Sequence, residues 1–373
     1  SGRVSLVGKI PLLRIEGSGK ALSYGGVSVA ELTITDHATP GSNLDVEITA
    51  NSATINDESV EQLSLRLYVD PERQSASAEI VTPRLRSALS IDGALDNWDE
   101  PSSWTGEIAG LDLQFDDYTA ALEGPVELQA SRTRANLGQF QIIGDHDLTL
   151  SGSASWDKTD GAIVFATLGD VPLNLVNTFA ETELVFDQTV TGQVSLQRSP
   201  TGELSGRGDI AMTPGRIIGD EGANTSFPTG AARLGFDLDA DGLRAGVIDL
   251  PLPGQGQIAA EFEVTDTGSS QPALVDAKID IDLANIGALA KLFPLIDDAT
   301  GALRVDMEVG GPVGDPAITG DFSLHRGSLT YLPIGLALTD IDLDSELRDD
   351  GELEVLGSFR AGDGIGSIHT RKE

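Results

Sequence analysis

Gly301-Ala302-Leu303-Arg304-Val305-Asp306-Met307-Glu308-Val309-Gly310 sets four apolar side chains, Leu303, Val305, Met307 and Val309, in strict alternation with Arg304, Asp306 and Glu308. Successive side chains leave a strand on opposite sides, so this period of two predicts a strand with one apolar and one wet face. The pattern recurs in both directions from this stretch. Upstream it covers Ile279, Ile281 and Leu283, then Phe236 and Leu238, Val194 and Leu196, Ile163 and Phe165, and Leu148 and Leu150. Further upstream lie Leu111, Leu113 and Phe115, and before them Leu63, Leu65, Leu67 and Val69; downstream follow Phe322 and Leu324, then Ile341 and Leu343. The chain is expected to be all-β, with antiparallel strands.

Hairpin signals separate these runs, because Asp-Gly steps supply the positive φ that tight turns need. They occur at Asp92-Gly93, Asp160-Gly161, Asp241-Gly242, Asp350-Gly351 and Asp363-Gly364. Two stretches have helical spacing instead. Asn285 is placed to cap a helix with Ile286, Leu289, Leu292 and Phe293 on one side, stopping at Pro294, and Leu175, Val176 and Phe179 suggest a shorter one after Asn174. Both belong to an internal repeat, with units at 173–281 and 282–373. Thr191-Gly192 aligns with Thr300-Gly301, Gly208-Asp209-Ile210 with Gly320-Asp321-Phe322, and Gly215-Arg216-Ile217 with Gly327-Ser328-Leu329. No composition shift cuts the chain, so 1–373 reads as one continuous segment, and Thr267 to Pro272 as a loop. The opening Ser1-Gly2, without methionine, reads as a processed or recombinant start.

Charge narrows the function classes. The 373 residues carry 24 Lys+Arg against 59 Asp+Glu, a net charge of -35. Nucleic acid is not an expected partner, because neutralising phosphates requires clustered cations, and a polybasic membrane surface is excluded for the same reason. The absence of cysteine removes thiol chemistry and disulfides, and no apolar run reaches the roughly 18 residues of a membrane-spanning helix.

Catalytic and metal motifs fail on their own spacing. Asp237-Leu238-Asp239-Ala240-Asp241-Gly242 begins like a calcium loop, yet its twelfth position, where a bidentate Glu belongs, is Ile248. Ser155-Trp156-Asp157-Lys158 matches a Ser-x-x-Lys pattern but straddles a predicted hairpin. Gly17-Ser18-Gly19-Lys20 lacks phosphate-loop spacing, and Gly362-Asp363-Gly364-Ile365-Gly366 opens no helix. His37, His146, His325 and His369 are scattered. A non-enzyme with no cofactor and no metal is the expectation. What remains is the apolar face, whose plainest fate is the dry interior of a β-sandwich.

The segment Asp315-Pro316-Ala317-Ile318-Thr319-Gly320-Asp321-Phe322-Ser323-Leu324-His325-Arg326-Gly327-Ser328-Leu329, preceded by Gly301-Ala302-Leu303 and Gly310, resembles a recurring phrase of TamB-like proteins. These are periplasmic subunits of the translocation and assembly module, related to the AsmA-like group. Trp104-Thr105-Gly106, Leu122-Glu123-Gly124-Pro125-Val126, Leu148-Thr149-Leu150-Ser151-Gly152 and Val171-Pro172-Leu173 follow that family's order, so the resemblance runs from Pro83 onward. It implies an elongated, curved β-groove, a β-taco, with a few short helices. It also implies phospholipid transport between the inner and outer bacterial membranes, acyl chains held in the apolar groove and headgroups in water. The alternating residues from Leu111 to Leu343 named above then line the groove. The implied location is the periplasm, with the whole protein anchored in the inner membrane and an outer-membrane BamA-type, TamA-like barrel engaged through parts beyond this segment. Two alternatives accompany this reading: an assembly factor for outer-membrane β-barrels and autotransporters, and the dry β-sandwich.

Overall fold

The computed structural model describes residues 2–7, 10–24, 27–38, 44–55, 58–70, 72–96, 103–116, 118–175, 185–218, 226–239, 242–265, 273–287, 295–348 and 351–370. The chain divides into two compact units, residues 1–169 with the 199–202 turn, and the remainder. The first holds β1 (Gly2–Val7), β2 (Ile10–Ile15), β3 (Gly17–Tyr24), β4 (Val27–Asp36), β5 (Leu44–Ile55), β6 (Glu58–Val69) and β7 (Gln74–Val81). It continues with β8 (Leu85–Leu95), β9 (Ser103–Phe115), β10 (Tyr118–Leu122), β11 (Val126–Ser131), β12 (Arg134–Gly144), β13 (Thr149–Asp157) and β14 (Gly161–Pro172), whose last residues pass the division. The second holds β15 (Val185–Phe186), β16 (Thr189–Arg198), β17 (Leu204–Met212), β18 (Gly215–Ile218), β19 (Ser226–Thr229), β20 (Ala232–Asp239) and β21 (Gly242–Leu252). After these come β22 (Gly256–Thr265), β23 (Leu274–Leu283), β24 (Ile296–Pro312), β25 (Ala317–Tyr331), β26 (Leu336–Leu347), β27 (Leu353–Ala361) and β28 (Gly364–Thr370).

The all-β antiparallel expectation holds. In the first unit each strand from β3 to β9 pairs with its sequence neighbour. One strand position is then shared by two segments: β10 takes one half of β9 and of β12, and β11 takes the other. The interruption falls at Glu123-Gly124-Pro125, where proline has no N–H to give to a ladder. β12, β13 and β14 follow, with an irregularity between Leu137 and Phe140 on β12. In the second unit β16, β17 and β20 to β28 pair in succession. β15, β18 and β19 form a separate small sheet.

The turn signals fare unevenly. Gly161 takes a φ of 93° after the Lys158–Asp160 turn, as the Asp160-Gly161 step predicts, and Gly242 and Gly351 also have positive φ, at 129° and 75°. Asp241 and Asp350 lie outside the described residues. In the last hairpin the turn glycine is Gly362, at 59°, while Gly364 opens β28. Asp92-Gly93 is no turn at all: it sits inside β8, pairing with Ser75 and Gln74 on β7. Gly93 and Gly106 are opposite one another under the Trp104 ring, and a Cβ on either would overlap it. Here glycine supplies room for packing rather than a bend.

Of the two helical stretches, a 3₁₀ turn at Leu173–Leu175 and the first residues after Asn285 are described; Val176, Phe179 and Leu289 to Pro294 lie outside the described residues. Asn285 Oδ1 accepts the Gly287 N–H at 2.9 Å, as a capping side chain does. The repeated phrases differ in backbone at Gly301 and Gly320, whose φ is positive where that of Gly192 and Gly208 is not, and they diverge most after β17. Thr213-Pro214-Gly215 ends β17 and sends the chain into β18, whereas His325-Arg326-Gly327 stays within β25 as an irregularity, with Arg326 at a φ of 52°. Pro214 has no N–H to give, whereas the Arg326 N–H donates to Asp342 Oδ1 at 3.2 Å.

On the polar face of the first unit arginines meet carboxylates of neighbouring strands: Arg73–Asp92 at 2.6 Å, Arg86–Glu79 at 2.7 Å, Arg84–Asp116 at 2.8 Å and Arg66–Asp45 at 3.1 Å. Exposed pairs of this kind contribute at most about 1 kcal/mol each, and their main effect is to favour one register. Asp145 Oδ2 accepts both the Oγ1–H and the N–H of Thr119, each at 2.8 Å, which holds its pKa below the ordinary aspartate value. A lowered carboxylate stabilises the fold above about pH 4 and loses that contribution as pH falls through its folded value. Replacing Asp145 with Ala should therefore lower the melting temperature at pH 7, and the gap from the parent should close towards pH 3.

Gly320 has a φ of 134°, and a Cβ there would overlap the carbonyl oxygen of Asp306 on β24. Gly320→Ala should cost about 1–3 kcal/mol of stability by denaturant unfolding. Gly310→Ala, where nothing lies within 4 Å of the new Cβ, should change stability by less than about 0.5 kcal/mol.

Candidate functional site

Residues directly opposite in an antiparallel ladder point to the same face, so register shows which side chains share a surface. In the second unit the apolar residues line up in tracks that cross the strands. One track runs Leu196, Gly206, Leu238, Leu243, Val264, Val275. A second runs Val194, Gly208, Phe236, Gly246, Phe262, Ala277, Val309, Ile318. A third holds Ile210, Leu234, Ile248, Ala260, Ile279, Met307 and Gly320. A fourth joins Ile258, Ile281, Val305 and Phe322, and a fifth Leu283, Leu303, Leu324 and Leu343, with Ile341 beyond an irregularity opposite Gly327. All the alternating residues singled out in this unit therefore share one face.

The opposite face carries the charge. Asp280, Asp306, Asp321, Glu346 and Glu354 stand opposite one another on five consecutive strands. Like charges across a ladder repel, but these point to water, and Lys278 at 3.7 Å from Asp306 and Arg348 at 3.1 and 2.8 Å from Glu346 and Glu354 offset them in part. Among the described residues no group of His, Cys, Asp and Glu could hold a metal ion.

In the first unit Leu111, Leu113 and Phe115 face the same way as Leu89 and Leu85 of β8, and Leu113 continues through Ala120 to Gly144. Leu150 lies on that face between Ile142 and Leu168, and Leu148 is buried beside it. Ile163 and Phe165 do not join them. They stand opposite Ser155 and Ser153, on the face away from Leu150, and are 49% and 42% exposed. Val164, between them, stands opposite Ala154 on the face of Leu150 and is itself 44% exposed. In Gly161-Ala162-Ile163-Val164-Phe165-Ala166 both phases are apolar, so alternation cannot choose between them. A depression of about 550 Å³ lies mostly on the polar side, lined by Arg86, Asp112, Gln114, Thr119 and Asp145 among others. Of its two carboxylates, Asp145 is already engaged by Thr119.

The apolar face is not uniformly open. Phe227 of β19, Leu252 of β21 and Leu283 of β23 form a closed cluster, 3%, 1% and 1% exposed, with Ile217, Leu250, Ile258, Ile281, Ile286 and Leu303 packed around it. Leu283 is thus covered, and Ile281 and Leu303 flank the covered patch. A dry core exists, but it is local. Sequence reasoning passed over Phe262 and Val264, although Ile258, Ala260, Phe262 and Val264 alternate with Ala259, Glu261 and Glu263. Leu243 carried no such signal, because an irregularity between Leu243 and Gly246 shifts its phase.

A family model for the TamB N-terminal domain matches residues 1–324. The chain belongs to the TamB family. No curated protein and no solved structure matches it. Membership assigns a TamB-type role in the cell envelope, in lipid transport or outer-membrane protein assembly, within a family of bridge and assembly proteins that partner TamA-like proteins. No helix among the described residues is long and apolar enough to cross a membrane.

The placements give opposite expectations for apolar residues that look alike in sequence. Ile163→Ser should change stability by less than about 0.5 kcal/mol, whereas Leu283→Ala should cost about 2–5 kcal/mol; chemical denaturation of both variants provides the comparison.

Proposed function

We propose that this chain carries phospholipid between the inner and outer membranes, acyl chains lying against the apolar sheet face and headgroups remaining in water. One observation supports the reading above others: the first three tracks of the second unit, from β16 to β25, contain only Leu, Val, Ile, Phe, Met, Ala and Gly. Transferring a methylene from water to such a surface gains about 0.8 kcal/mol, and an acyl chain asks for nothing else. With no polar group to address, the surface holds the tail without fixing it at one point, so movement along the tracks meets no deep well. The acidic opposite face keeps the sheet soluble and repels other copies. A TamA-like barrel is the partner we propose at the outer membrane.

A charge on the apolar face tests this. Val305→Arg places a cation among Ile281, Phe322 and their neighbours. On an open surface a long charged side chain can reach water, so the chain should stay folded, with a melting temperature within a few degrees of the parent. Lipid delivery to the outer membrane by the full-length protein should fall at least tenfold. A folded variant with normal delivery rules the proposal out, and normal delivery combined with defective barrel insertion would favour the assembly role.

A further inference from the structure

The internal repeat can be followed strand by strand through the second unit. β24 corresponds to β15 with β16, β25 to β17 with β18, β26 to β19 with β20, β27 to β21 and β28 to β22. In the first copy the outer pieces separate as the β15–β18–β19 sheet, which closes over Leu252 at the end of β21 and Leu283 at the end of β23. In the second copy the same pieces stay joined to their strands. Asp297 pairs with Thr330 and Leu329 with Leu338, as Val185 pairs with Ile218 and Ile217 with Phe227. Asp298, Arg326 and Asp340, at φ of 49°, 52° and 49°, mark where this second cover leaves the regular ladder of three adjacent strands.

The two covers differ in what lies against them. Phe227 is buried on Leu252 and Leu283, whereas its counterpart Leu338 is only half-buried. Tyr331 and Leu336, which pair on the same face as Leu338, are exposed, and Ile334 in the turn between them is 72% exposed. No residue in 327–339 is charged, in a chain of net charge -35. The seat differs too. Ala361 stands opposite Gly364 where Leu252 stands opposite Gly256, and β23, which sets Leu283 on the other side of Gly256, has no counterpart among the described residues. Within its unit β28 pairs with β27 alone among the described residues, and it carries no proline, lysine or bulge of the kind that guards a sheet edge.

We propose that the second cover, residues 296–297 with 327–339, is the docking surface for a strand that adds antiparallel to β28 and sets a leucine opposite Gly364, as Leu283 is set opposite Gly256. The strand is supplied by the next repeat of the same polypeptide in the full-length protein, because antiparallel neighbours from β20 to β28 are consecutive in sequence. Two needs meet at this margin. The N–H and C=O groups on the outer edge of β28 call for a backbone partner, and the Tyr331, Leu336 and Leu338 face calls for apolar contact. A hydrocarbon chain would meet only the second need. A strand ending in leucine meets both, and β23 does so in the first copy.

The test places a photo-crosslinking residue at Leu336 of the full-length protein, with Ile365, on the other face of β28, as the reference position. Leu336 should crosslink to a leucine-containing peptide of the same polypeptide beyond Glu373, at least tenfold more than Ile365 does, and the product should keep the mass of one chain. Leu338→Asp, which removes apolar surface from the cover, should lower that yield at least fivefold. An undiminished yield in a folded Leu338→Asp protein overturns the role of the cover, and should that variant not fold, Leu338→Ala repeats the measurement. A product of twice the mass assigns the strand to a second copy, and a product with a different protein assigns it to that partner; either overturns the source. Phospholipid captured at Leu336 overturns the choice of occupant. A crosslink to a residue within 1–373, or a yield no greater than at Ile365, overturns the docking surface itself.

Discussion

Because side chains alternate between the two faces of a strand, the hydrogen-bond register between neighbours decides everything else about this surface. A slip of one residue at any pairing would turn an apolar track into a row of carboxylates. The sequence opposes such a slip twice. Burying Leu283 against Phe227 and Leu252 fixes β21 and β23, and the arginine–carboxylate pairs of the first unit stand in line only in the observed register. Irregularities shift phase locally, as at Leu243 and Gly327, without moving apolar residues off the face.

Much of this face was legible from alternation alone. The runs at Ile279–Leu283 and Leu303–Val309 fell on β23 and β24, and their side chains meet in register. Legibility failed where alternation stopped being informative. Ile163, Val164 and Phe165 are consecutive apolar residues, and only pairing with Ser153 and Ser155 shows which of them point outward. Asp92-Gly93 carried the signature of a hairpin yet lies inside a strand, because the Trp104 ring requires a bare backbone beneath it. The division between open and covered surface was invisible, since Leu283 and Val305 alternate with acids in the same way. What separates them is a small sheet formed by segments distant in sequence, made possible where Pro214 ends β17.

Glycine shapes the surface in two ways. At Gly320 it permits a backbone that other residues avoid, keeping β25 in register with β24 and β26. At Gly208 and Gly246 it accepts an aromatic ring from the adjacent strand, and at Gly357 it accepts Leu343 in the same manner. The chain has 43 glycines and only 5% aromatic residues, and this packing accounts for part of that balance: a few large rings laid flat cover the floor that many upright side chains would otherwise fill.

Native mass spectrometry of the chain released by mild extraction measures most directly whether the apolar face holds lipid. Bound phospholipid, lost on Val305→Arg while the protein mass stays that of a folded chain, is the predicted result. A folded chain that flies bare from a lipid-replete membrane extract, with no phospholipid at any collision energy, would contradict it.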